Sequence, residues 1–160
     1  PFVFLIGYCP FPFSIAYMQL QYFSLPLDFG KVMRQEEHPR VSIQQSVIQH
    51  LHLLLTTAFG EFSGDEDFGC GIWDHDFDNV TSAHKLKEII RQSLLKSIQE
   101  KEKRLTGVRV DLLIIQEDVP ETSGMHSVKK KINITITGVL QLTNERLNFR
   151  DSFYVGPLSY

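Results

Sequence analysis

A chain of 160 residues, 42% hydrophobic and 22% charged, is long enough for one domain with its own core and short for two. Its formal net charge of -3 offers phosphates no basic surface, so nucleic acid is not an expected partner. The two cysteines, Cys9 and Cys70, lie far apart in unlike contexts; they argue against a disulfide framework and for a reducing, cytoplasmic setting.

From Pro1 to Leu27 there is no charged residue, and Pro1 to Tyr17 is strongly aromatic. A signal peptide needs a positively charged start, which is absent, and Pro10 and Pro12 interrupt any membrane-spanning helix, so no membrane insertion is expected. Met18 is the first methionine and opens an ordinary mixed sequence; residues 1–17 are therefore expected to be an apolar extension outside the native domain. Residues 18–40, punctuated by Pro26, Gly30 and Pro39, predict an extended arm pinned to a core by Phe23, Leu25, Leu27 and Phe29. Residues 41–160 are the expected domain.

Ser42 with Gln45 three residues on fits a capping box, and Ile43, Val47, Leu51, Leu54 and Leu55 then supply the buried face of a helix. His50 and His52 face different directions on it and cannot share a metal as an i, i+4 pair could; solvent or a local hydrogen bond is their expected lot. Residues 58–77 read as a loop, with glycines and acidic residues around isolated aromatics. Phe68, Ile72 and Trp73 are candidates to plug into the core, and Phe68, Gly69 and Trp73 are the expected structural anchors of this loop.

Asp78, Asn79, Thr81 or Ser82 can cap the next helix, in which Leu86, Ile90, Leu94 and Ile98 form a stripe widened by Ile89 and Leu95. After Gly107, expected as a left-handed helix cap, the period changes to two: Val108, Val110, Leu112 and Ile114 face one way, Arg109, Asp111, Leu113 and Ile115 the other. Glu102, Lys103 and Arg104 form the charged junction between helix and strand. Residues 117–127 predict a turn, residues 131–142 a half-exposed strand, 143–145 a hairpin turn and 147–155 a third strand with Phe149, Phe153 and Val155 on one face. The basic run Lys129, Lys130, Lys131 reads as a solvated strand entry or turn. The sum is an α+β fold, two main helices packed on a small antiparallel β-sheet of about three strands.

The chemistry-bearing patterns are thin. Glu61 with Asp65 or Asp67 has the residue types of a glycosidase pair, but acidic residues in a glycine-rich loop are more simply solubilising. Asp74, His75, Asp76 and Asp78 match neither the calcium loop nor a zinc spacing, so no metal is expected. There is no G-x-S-x-G, no phosphate-binding glycine loop and no cysteine set up as a nucleophile; no catalytic residue and no cofactor are assigned. The sequons at Asn79 and Asn133 carry no weight in a cytoplasmic chain.

The order of motifs resembles the GPW/gene-25-like family, the small baseplate wedge proteins of contractile phage tails and their type VI secretion (TssE-type) counterparts. The pieces that carry it are LLLTTAFGEF at the end of the first helix, the EDFGCGIW step, and KEKRLTGVRVDL at the end of the second helix. In the last piece Glu102 and Arg104 stand in register with the family's Glu-Pro-Arg motif, and Lys103 replaces the usual proline, keeping the charges and removing the stiff bend. The resemblance implies a non-enzymatic assembly protein that links the wedge core to the first sheath ring and templates the sheath by strand addition. It also implies wedge proteins of the TssF/TssG type, or phage equivalents, and sheath subunits as partners, with Glu102, Lys103 and Arg104 as partner-binding residues. A peptidoglycan-cleaving, lysozyme-like hydrolase using the Glu61 loop is the alternative.

Overall fold

The computed structural model describes residues 21–75, 83–120 and 126–155. The apolar spacing that begins after Ser42 becomes helix α2, Ile43–Thr56, with the Ser42 hydroxyl accepting from the Gln45 N–H at 3.3 Å. Its buried residues are Ile43, Val47, Leu51, Leu54 and Leu55. Helix α3, Ala83–Lys101, turns Leu86, Ile90, Leu94 and Ile98 inward, each less than 5% exposed. Leu95 packs at the edge of the core, whereas Ile89, expected on the same stripe, is 37% exposed. The expected caps at Asp78, Asn79, Thr81 and Ser82 lie outside the described residues.

Three antiparallel strands follow: β3, Leu105–Pro120, β4, His126–Leu140, and β5, Arg146–Val155, in the spatial order β3-β4-β5. The register aligns Val110 with Ile136 and Ile136 with Phe149, so these buried residues of the three strands fall on one face. That face meets α2 and α3 in a single core, while Arg109, Asp111, Leu113 and Ile115 point away from it. The fold is α+β, one layer of helices over an antiparallel sheet.

Several sequence expectations are corrected. Gly107 has φ +60° but sits inside β3, at the register shift between Thr106 and Arg109; the helix has already ended at Lys101, and the left-handed residue makes a bulge rather than a cap. The turn expected over 117–127 is shorter, because β3 runs to Pro120 and β4 begins at His126. Lys129, Lys130 and Lys131 accordingly lie within β4, where the Lys131 ammonium donates to Glu117 at 3.3 Å.

The arm also differs from expectation. Strand β1, Tyr22–Phe23, pairs with β2, Arg40–Val41, and a short helix α1, Phe29–Met33, is capped by Asp28. Phe23, Leu25, Leu27 and Phe29 are exposed instead of pinned. Polar contacts hold the arm: the Gln49 side chain accepts from the Leu25 N–H and donates to the Leu25 carbonyl, both at 3.2 Å, and His38 Nε2 lies 2.8 Å from the Ser24 carbonyl. Tyr22 supplies the apolar contact with the core.

Candidate partner-binding site

The first two of the sequence pieces singled out above meet through the Ala58–Cys70 bridge, and Lys101 at the end of the second helix reaches Asp65 of the loop between them. Helix α3 stops where the Glu102 N–H makes its last helical bond, to the Ile98 carbonyl at 2.9 Å, and Lys103 Nζ donates to the Gln99 carbonyl at 3.1 Å, a cation where the carbonyls run out. Glu102 turns inward and is 2% exposed. Arg104 grips it with Nε on Oε1 at 2.8 Å and a second guanidinium nitrogen on Oε2 at 2.5 Å, while the Arg104 N–H donates to Oε1 at 3.0 Å. His50 Nδ1, from α2, lies 2.8 Å from Oε2. The remaining Arg104 nitrogen donates to Ser46 Oγ at 3.0 Å, and the guanidinium lies 5.2 Å from the centre of the Tyr22 ring.

Burial pushes the Glu102 carboxyl up, but the hydrogen bonds from Arg104 and His50, joined by the Arg104 backbone N–H, outweigh it and hold the group down at about 2. Hydrogen bonding to Glu102 raises Arg104 in turn. An ionised carboxylate only accepts, so His50 donates from Nδ1. The junction thus ties the end of α3 to α2 and to the arm. Of the three residues expected to meet a partner, Glu102 is turned into the protein, the Arg104 fork is filled by Glu102 instead of being offered outward, and Lys103 stands exposed. Sequence reasoning missed Ser46, His50 and Tyr22. Ser46 and His50 are four apart on α2 and so share a face, which was a usable signal. His50 finds a carboxylate far along the chain rather than solvent or a local bond, while His52 is exposed to solvent as expected and also has Nδ1 2.8 Å from Asp151 of β5.

The loop beside this junction is held from several sides. Phe68 is half-buried, its ring 5.8 Å from that of His50 and 5.9 Å from that of Phe62. Gly69 has φ +128°, and a Cβ there would come 2.6 Å from the Thr57 carbonyl, so only glycine fits. Trp73 donates from Nε1 to the Leu55 carbonyl at 3.0 Å and meets Phe153 edge-on at 5.9 Å, while Ile72 is fully buried. Cys70 is buried as well, and that burial pushes its thiol up to about 11, away from nucleophile chemistry.

The carboxylates weighed as a hydrolytic pair have structural partners. Glu61 Oε2 accepts from the Ala58 N–H at 2.9 Å, and Asp65 receives Lys101 Nζ at 2.6 Å; Asp67 is exposed. Leu53, Thr57, Glu61, Phe62 and Phe68 line an open groove of about 420 Å³. Among the described residues no group of three His, Cys, Asp or Glu side chains is placed to hold a metal. Asp74 is exposed, and the His75 side chain, Asp76 and Asp78 lie outside the described residues.

Residues 41–145 match the family of the baseplate wedge protein gp25. A crystal structure of a Geobacter sulfurreducens protein, provisionally named a tail lysozyme, is similar in fold: it is 22% identical, with a TM-score of 0.53, and the match covers 77% of this chain and 100% of that one. No curated protein matches the chain.

Proposed function

This chain belongs to the baseplate wedge protein gp25 family, and from that premise we propose that it is a structural subunit of a contractile injection machine, of the type VI secretion or phage-tail kind, linking the wedge core to the first ring of the sheath. The observation that carries this reading is the sheet: β3 and β5 are its two outer strands, and each leaves one row of main-chain groups unpaired among the described residues. Such a row pairs with an added strand through main-chain hydrogen bonds, which is what templating a sheath arm requires. At the start of β3, Lys103 and the outer side of Arg104 meet solvent and would face wedge-core proteins of the TssF/TssG type or their phage equivalents, in the cytoplasm. Glu102 acts there by holding Arg104 in place.

The name carried by the Geobacter protein favours a second reading, a hydrolase of peptidoglycan. Such an enzyme needs one carboxyl as acid and another across the sugar. Glu61 and Asp65, committed to Ala58 and Lys101, support an architectural use of this loop instead. Co-purification with wedge proteins beside a cell-wall zymogram separates the two: binding without clearing is expected, and clearing that disappears in Glu61→Gln would establish the hydrolase.

A further inference from the structure

We infer that the groove between the end of α2 and the 58–70 loop is a second docking site, distinct from the sheet edges and from the Glu102–Arg104 junction, for a protein segment that inserts an aromatic or leucine side chain flanked by Lys or Arg. Phe62 is 53% exposed and Leu53 41%, and both line the same depression of about 420 Å³, with Phe68 between them and His50. Single exposed hydrophobic residues are ordinary; several converging on one concavity mark a place where another apolar group fits. The groove is preformed. The Gly60 N–H bonds the Glu66 carbonyl at 2.9 Å, Ala58 bridges to Cys70, and Lys101 holds Asp65 at 2.6 Å, so an incoming segment would not have to order the loop.

Charge selects the occupant. Glu61 lines the groove, and Glu66 and Asp67 are exposed further along the same loop, with no cation paired to them among the described residues; only the Asp65 charge is met internally. An apolar floor with Glu61 in its wall and two more carboxylates on the same loop attracts basic flanks and repels acidic ones, and it disfavours phosphate and anionic lipid on the same ground. The site goes beyond the proposed function, whose contacts are the sheet edges and the junction, and it stands or falls separately.

The test uses the full chain and three fluorescein-labelled peptides, Lys-Lys-Leu-Phe-Lys-Lys, Glu-Glu-Leu-Phe-Glu-Glu and Lys-Lys-Ser-Gly-Lys-Lys, titrated by fluorescence anisotropy at low salt. The first should bind at least about tenfold more tightly than either control and should weaken as salt is raised. Phe62→Ser, at an exposed position, should weaken it about tenfold, and Glu66→Lys with Asp67→Lys about fivefold, with melting temperature retained. Equal binding of the basic and acidic peptides, binding indifferent to both sets of substitutions, or no binding of the first peptide would overturn the assignment. So would a concentration-dependent dimer that Phe62→Ser dissolves, which would give the groove to a second copy.

Discussion

Glu102 and Arg104, two residues apart on the turn from α3 to β3, are clasped to each other through two parallel hydrogen bonds of 2.8 and 2.5 Å, and the carboxylate of the pair is buried. With Ser46 and His50 of α2 and Tyr22 of the arm around it, the pair is an internal strut. Removing Arg104 strands a buried carboxylate, so Arg104→Ala should lose about 3 kcal/mol of stability in urea unfolding. Binding to wedge proteins should fall with it. A variant that binds poorly yet unfolds at the same urea concentration would show that Arg104 serves the partner alone.

The same carboxylate sets an acid limb. Its folded pKa of about 2 lies below the ordinary value of 4.5, so its contribution is fully present above the ordinary value and is lost as pH falls from there towards about 2. The shift corresponds to about 3 kcal/mol at neutral pH. Stability measured against pH should drop through that window in the wild-type chain, and the drop should be visibly shallower in Glu102→Gln. Identical acid limbs would mean the carboxylate is not held in this way.

For the loop, Gly69→Ala meets both a positive φ and the Thr57 carbonyl, and should cost on the order of 2 kcal/mol or more. Trp73→Ala, which loses the bond to the Leu55 carbonyl and the contact with Phe153, should cost about 3 kcal/mol. Thermal melts check both. An unchanged melt for either would remove that residue from the set of loop anchors.

How much of this could be read beforehand depended on the range of the interaction. Ile43, Val47, Leu51, Leu54 and Leu55 repeat with a helical period, and Val110 and Leu112 with a strand period, so the layers and their facing sides were legible from local pattern alone. The junction at Glu102–Arg104 was legible as a place but not as a geometry. A carboxylate among the last carbonyls of a helix looks unwelcome until His50, 52 residues earlier, and Arg104 turn out to surround it. The arm misled for a related reason: the alternation of Phe23, Leu25, Leu27 and Phe29 suggests apolar pinning, while the contact that holds it is the amide of Gln49, which no periodicity reveals. Gly107 announced a left-handed backbone, but whether that ends a helix or bulges a strand is decided by the pairing of Leu105 with Leu140 across the sheet.

The most direct test of the account is sheath assembly on a free sheet edge. On β5 the Ser152 N–H donates to the side chain of Asp151 at 2.8 Å, and Ser152→Pro removes that donor and puts a ring on an outer strand of the sheet. Combined with a proline at an outward N–H of β3, it should leave the isolated protein folded by circular dichroism and still able to bind wedge proteins. Sheath polymerisation from reconstituted baseplates, counted by electron microscopy, should fail to start. Sheaths of normal number and length on baseplates carrying both prolines would contradict the claim that this chain templates the first ring.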